Sequence, residues 1–107
     1  MLEITVAEVK AKLDAGEALH LLDVREREEI AICSLPGAEQ IPMMQLFTGM
    51  KRTEAAADAP IVIFCHHGIR SLEAARLLQM QGFTNVKSMA GGIDAWADEF
   101  DPSMTRY

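Results

Sequence analysis

Residues 60–81, P-I-V-I-F-C-H-H-G-I-R-S-L-E-A-A-R-L-L-Q-M-Q, contain a predicted strand, a loop and a predicted helix in direct succession. The apolar run Ile61–Phe64 is rich in β-branched residues and follows a proline, which is typical of a strand buried on both faces of a parallel sheet. From Ser71 onward, apolar residues recur at helical spacing until Gly82, a residue type that tolerates the left-handed conformation of a helix end. The stretch therefore predicts a strand that ends at Cys65 and a helix of about three turns.

The rest of the chain repeats this alternation of short apolar strands and helical patterns. Predicted strands cover residues 21–24, 38–41 and 84–88; predicted helices start at the Thr5–Glu8 capping box, in the charged run 25–29, at residues 43 and 53, and after Gly91 and Gly92. The helix from residue 53 is expected to end at Asp58, and residues 101–107 are expected to form a tail. Alternating strands and helices predict an α/β fold with a mainly parallel sheet, and 107 residues fit one domain over residues 1–107.

The composition excludes several classes of protein. Ten Lys and Arg residues against sixteen Asp and Glu give a net charge of −6, and the basic residues are scattered, so a nucleic-acid partner is not expected. No apolar run approaches the roughly 20 residues of a membrane span. The first residues have neither a basic region nor a continuous apolar segment, so no signal peptide is expected and the cytoplasm is favoured. Two cysteines without a C-x-x-C pair predict neither a disulfide framework nor a structural metal site, and no cofactor is predicted.

The loop between the central strand and helix predicts an anion-binding site with a reactive sulfur. The first N–H groups of a helix have no internal partners and carry partial positive charge, and a glycine turn directs further N–H groups inward. A cysteine at such a place ionises readily, and the thiolate is the nucleophile. Cys65 is therefore the candidate catalytic residue, because a glycine and an arginine follow it at three and five residues. The candidate substrate-binding residues are His66, His67, Gly68, Ile69 and Arg70.

Three acidic or sulfur-containing residues have alternative interpretations. Asp23 lies at the end of a predicted strand, where α/β sheets gather their sites, or it caps the following turn and pairs with Arg25; the structural interpretation is favoured. Cys65 itself is also compatible with a small buried residue that closes a core strand. For Cys33, in an apolar segment before a Pro-Gly turn, packing is favoured over a redox role.

The loop resembles the active-site loop of the rhodanese (sulfurtransferase) family. Three further segments resemble motifs of that family in the same order: L-D-V-R-E at residues 22–26, L-P-G-A at 35–38 with Ile41-Pro42, and G-G-I-D-A-W at 91–96. Together they cover nearly the whole chain. The resemblance implies a rhodanese-like three-layer domain, with a five-stranded mainly parallel sheet flanked by helices and the active-site loop after the fourth strand.

The resemblance also implies roles for the loop residues. Cys65 would accept a sulfane sulfur as a persulfide, the amides from His66 to Arg70 would cradle it, and Arg70 would hold the anionic end of a donor such as thiosulfate. Cyanide or a thiol would be the acceptor. The loop has two histidines where efficient thiosulfate users often have Arg or Lys, which leaves the preferred donor open. Ser34 stands where relatives often have His-Ile, a difference of packing rather than chemistry.

Other functions compete with thiosulfate-dependent sulfur transfer. A sulfur-relay or interaction module loaded by a protein donor has the same sequence features. Phosphatase or arsenate reductase chemistry on a similar scaffold places five residues between Cys and Arg, whereas four intervene here, which favours a sulfur atom over a phosphate. Arg70 is alternatively a brace that pairs with an acid on a neighbouring helix. A metal site of Cys65, His66 and His67 is disfavoured, because adjacent side chains rarely converge and no distant ligand cluster completes it.

Overall fold

A five-stranded sheet, in which every neighbouring pair of strands is parallel, forms the centre of the computed structural model, which describes residues 2–107. Its strands are β1 (Glu3–Ile4), β2 (His20–Asp23), β3 (Glu39–Gln40), β4 (Ile61–Phe64) and β5 (Val86–Met89), in the spatial order β1-β5-β4-β2-β3. The predicted parallel five-stranded sheet is confirmed. The central position of β4 explains its continuous apolar sequence, since all four of its residues are buried.

Helices cover both faces of the sheet and give the expected three layers. They are α1 (Val6–Asp14), α2 (Arg27–Ile32), α3 (Met43–Phe47), α4 (Ile69–Met80) and α5 (Gly92–Phe100). Alternate residues of β4 face opposite ways, as strand geometry requires. Ile61, Ile63 and Cys65 belong to one buried cluster with residues of α3 and α4, whereas Val62 and Phe64 belong to a second cluster with residues of α1 and α5.

Helix α4 begins two residues earlier than its apolar pattern predicts. Gly68 is the N-cap residue and has φ +100°, a conformation that glycine adopts at little cost. Ile69 and Arg70 therefore lie in the first turn of the helix, although Ile69 remains 76% exposed and adds nothing to the core periodicity. The prediction that Ser71 opens the helix was wrong for this reason.

The predicted helix over residues 53–58 is wrong. The Thr53 hydroxyl donates to Glu39 Oε1 at 2.6 Å and the Glu54 amide donates to Glu39 Oε2 at 3.0 Å, so the first polar groups of this segment bond to β3 instead of to a helical turn. His20 Nε2 lies 2.6 Å from the same Oε1 atom. These contacts fasten the long connection between α3 and β4 to the sheet.

Residues 101–107 contain no helix or strand, but they do not form a free tail. Arg106 bonds to Asp94 and Asp98 of α5 at 3.0 and 3.3 Å. Tyr107 reaches further and contacts residues of the candidate site. None of the helices formed by residues 2–107 has the length and apolar content needed to cross a membrane.

Candidate active site

Cys65 lies directly after β4, at the edge of the sheet where the parallel strands end. Because it continues the strand alternation after Ile61 and Ile63, its side chain points to the α4 face, beneath the first turn of that helix. Its Sγ accepts hydrogen bonds from the Gly68 amide at 3.1 Å and the Ser71 amide at 3.4 Å. The residue is only 1% exposed. The predicted meeting of a sulfur with helix N-terminal amides is therefore present, but one of the two donors is Ser71, outside the predicted set.

The N-terminus of α5 holds the outer side of this loop. The Ile93 amide donates to the Cys65 carbonyl at 2.9 Å and the Asp94 amide donates to the His66 carbonyl at 3.1 Å. A Cβ atom at Gly92 would overlap both of these carbonyl oxygens, so only glycine permits so close an approach. The Cys65 and His66 carbonyls therefore bond to amides of α5. The backbone groups that bond to the sulfur are the Gly68 and Ser71 amides.

A pair of buried hydroxyl groups lies beside the sulfur. Ser71 Oγ lies 3.5 Å from Cys65 Sγ and 2.7 Å from Ser88 Oγ, and both serines are fully buried. When the sulfur is a thiolate, the Ser71 hydroxyl can donate to it while the Ser88 hydroxyl donates to Ser71. No sequence motif marks this pair, since Ser88 belongs to β5 and lies 17 residues after Ser71.

Arg70 is engaged with an acid of a neighbouring helix. Its Nη1 and Nη2 atoms donate to the two carboxylate oxygens of Glu29, each at 2.7 Å. This bidentate contact with Arg70 is the main reason why the pKa of Glu29 is lowered to about 2. The contact is the one that the bracing alternative requires. Donor binding by Arg70 stays a prediction, and it requires the guanidinium to exchange part of this contact for a substrate.

Tyr107 links this ion pair to the loop and to the core. Its hydroxyl donates to Glu29 Oε1 at 2.9 Å and accepts from Arg25 Nη1 at 3.1 Å, while its ring stacks on His66 with centroids 3.8 Å apart. No sequence pattern indicates this role for Tyr107. The Glu29 carboxylate also accepts from the Glu26 amide at 2.9 Å. Two groups besides Arg70, the Tyr107 hydroxyl and the Glu26 amide, therefore fix the position of Glu29.

Arg25 and Asp23 form a buried pair beneath this network. Asp23 accepts from the Arg25 amide at 3.0 Å and from two guanidinium nitrogens, the shortest contact being 2.8 Å. The structural interpretation of Asp23 is confirmed. Arg25 Nη2 also donates to the Cys33 carbonyl at 2.8 Å, and the Cys33 side chain packs against the core, as the packing interpretation expects.

The two histidines of the loop stack on each other and lie beside α5. Their ring centroids are 3.8 Å apart, and His67 Nε2 lies 3.7 Å from Asp94 Oδ2. The fold thus brings an acidic residue of a distant segment to the histidine pair. No sequence pattern associates Asp94 with this loop, because all of α4 and β5 separate the two segments in the chain.

Comparisons with known proteins give one consistent result. A family model described as the rhodanese-like domain matches residues 5–99. The chain is 36% identical over 104 residues to the Mycobacterium tuberculosis protein named "Probable adenylyltransferase/sulfurtransferase MoeZ", covering 97% of this chain but only 26% of that protein. It is 36% identical over 95 residues to a sulfurtransferase of Allochromatium vinosum, covering 89% of this chain and 87% of the relative. The structure of the human single-domain sulfurtransferase TSTD1 superposes with a TM-score of 0.81 at 28% identity, covering 92% and 97% of the two chains.

Proposed function

The chain belongs to the rhodanese-like domain family, and from that premise we propose that it transfers a sulfane sulfur through a persulfide on Cys65. The observation that carries the proposal is the environment of Cys65 Sγ. Two backbone amides and the Ser71 hydroxyl face one buried sulfur at the N-terminus of a twelve-residue helix. These donors stabilise negative charge on the sulfur without a neighbouring base.

The proposed reaction has two steps on the same sulfur. The Cys65 thiolate attacks the sulfane sulfur of thiosulfate, a new S–S bond forms, and the bond to the sulfonate sulfur breaks with its electron pair leaving on sulfite. Cyanide or a thiolate acceptor then attacks the terminal sulfur, and the bond to Cys65 breaks to restore the thiolate. Thiocyanate or an acceptor persulfide is the product. No net redox partner is required, which fits covalent two-step catalysis.

Arg70 is proposed to receive the anionic end of the donor. Its guanidinium lies in the first turn of α4, close to the helix N-terminus that faces Cys65. The planar Arg70 guanidinium binds both oxygens of the Glu29 carboxylate, and the same geometry fits two oxygens of a sulfonate. Since the Arg70 side chain is 36% exposed, a donor can approach it from solvent and take one of the two Glu29 contacts.

The nature of the physiological donor divides this proposal into two cases. Thiosulfate is the small-molecule case, and a protein that passes on a persulfide is the relay case. A Bacillus subtilis relative, 37% identical over 94 residues, is named "Putative sulfur carrier protein YrkF", and this name supports the relay case. The exposed side chain of Ile69, four residues after Cys65, would suit contact with a protein.

Steady-state kinetics test the proposal. We expect thiocyanate formation from thiosulfate and cyanide, with the parallel double-reciprocal lines of a ping-pong mechanism, and no activity in Cys65→Ser. Loading from thiosulfate, mercaptopyruvate and a cysteine desulfurase is compared in parallel. Loading from the desulfurase alone supports the relay case. Failure of all three donors, or turnover that survives in Cys65→Ser, would contradict the proposal.

A further inference from the structure

The geometry points to a binding site for a divalent zinc-class metal ion formed by His66, His67 and Asp94. One ligand atom from each of these residues lies within 4.8 Å of the other two. Two imidazoles and one carboxylate are a donor set that suits Zn²⁺, Co²⁺ or Ni²⁺, and three protein ligands leave a position for water. The site is distinct from the Cys65 sulfur, and the inference does not rest on sulfur transfer.

The backbone holds the three residues in place independently of their side chains. The Asp94 amide donates to the His66 carbonyl at 3.1 Å, and the neighbouring Ile93 amide donates to the Cys65 carbonyl at 2.9 Å. Glycine at position 92 permits this close contact between α5 and the loop. A ligand set with its backbone fixed in this way loses little conformational freedom when an ion binds.

One ring nitrogen of His66 lacks any partner. His66 Nε2 is buried and has no hydrogen-bond partner among residues 2–107. A buried polar atom without a partner is uncommon and costs free energy, so it points to a group that the protein chain does not supply. The Asp94 carboxylate faces the histidine pair with one oxygen, because Oδ2 lies 3.7 Å from His67 Nε2 whereas Oδ1 accepts from Arg106 Nε at 3.0 Å.

Small movements complete the site. Ligand atoms about 2.0–2.2 Å from one zinc ion are about 3.3–3.6 Å apart at tetrahedral angles, so donor atoms up to 4.8 Å apart need to approach by at most about 1.2–1.5 Å. The His67 ring must turn from its stacked position on His66, and its side chain is 58% exposed, so solvent leaves room for the rotation. The ion would take Asp94 Oδ2, the oxygen nearest His67, while Arg106 Nε lies 3.0 Å from the other oxygen, Oδ1.

Metal titration with matched variants tests the inference. The titrations use Zn²⁺ in a calorimeter and Co²⁺ followed by its visible absorption, in a Cys65→Ser background that removes the reactive thiolate. We expect one ion per chain. His67→Gln and Asp94→Asn should each weaken binding by about tenfold or more. Glu99→Gln, which removes an exposed acid from the same helix, should leave the affinity unchanged.

Arg106→Gln should change the Zn²⁺ affinity in the opposite direction to the ligand substitutions. Because the guanidinium and the ion are both positive and would share the Asp94 carboxylate, removing Arg106 should tighten Zn²⁺ binding, whereas loss of a merely structural contact would not. Absence of Zn²⁺ binding up to about 1 mM would overturn the inference. Binding that persists at full strength in both His67→Gln and Asp94→Asn would overturn it as well.

Discussion

The ion pair between Glu29 and Arg70 allows the sharpest energetic prediction. Two bonds of 2.7 Å join the two side chains, whose exposures are 18% and 36%. A pKa lowered from 4.5 to about 2 corresponds to about 3 kcal/mol if the shift is fully realised. Solvent screening of the partly exposed Arg70 reduces this, and we expect a coupling free energy of roughly 1–2 kcal/mol.

A double-mutant cycle measures this coupling. The free energies of unfolding of wild type, Glu29→Gln, Arg70→Gln and the double variant are determined by urea denaturation at pH 7. Arg76→Gln is the matched control, since Arg76 pairs with Glu73 on the exposed surface of the same helix and its loss should cost about 0–1 kcal/mol. A coupling below about 0.5 kcal/mol would refute the bracing energy assigned to this pair.

The same pair predicts a dependence of stability on pH. A carboxyl whose pKa is lower in the folded state contributes stability above its unfolded value, and this contribution is lost as the pH falls toward the folded value. The difference in unfolding free energy between wild type and Glu29→Gln should therefore be largest near neutral pH and decline from about pH 4.5 toward pH 2. A difference that stays constant over this range would show that ionisation of Glu29 is not its source.

Four further substitutions test other parts of the account. Arg70→Lys keeps the positive charge but loses the planar guanidinium fork, so kcat/KM for thiosulfate should fall. Arg70→Ala removes the charge as well and should lower kcat/KM by about 10- to 150-fold. Unchanged kinetics with a lower Tm in both variants would show that Arg70 only braces the loop. Asp23→Asn removes the negative charge that pairs with the fully buried Arg25 and should cost about 3–5 kcal/mol of unfolding free energy in urea. A cost below about 1 kcal/mol would show that the pair is unimportant. Gly68→Ala places a Cβ 3.1 Å from the Gly91 amide nitrogen at φ +100°, and should lower the Tm and slow sulfur loading; normal values for both would contradict the assigned turn.

The sequence predicts the centre of this fold well, because the relevant signals are local. Strand β4 covers the predicted apolar run and ends at Phe64, one residue before the predicted end at Cys65, since four consecutive buried apolar residues are best accommodated between two helical layers. The place of Cys65 follows from the strand, the glycine and the helix that adjoin it. The pairing of Asp23 with Arg25 was also accessible, because the two residues are close in the chain.

Contacts between distant segments could not be predicted in the same way. Glu29 is one of several acids in a charged run, and nothing local distinguishes the one that meets Arg70, 41 residues later. Tyr107 contacts Arg25 across 82 residues. The predicted helix over residues 53–58 does not form for a related reason. Thr53 and Glu54 donate hydrogen bonds to Glu39 of β3, and local helical propensity carries no information about such a distant partner.

The central claim is that Cys65 carries the transferred sulfur, and the mass of the intact protein after exposure to donor alone tests it most directly. Wild type and Cys33→Ser should each gain the mass of one sulfur atom, and cyanide should remove it. Cys65→Ser should gain none. An adduct that persists in Cys65→Ser and disappears in Cys33→Ser would move the chemistry to the other thiol and contradict the account.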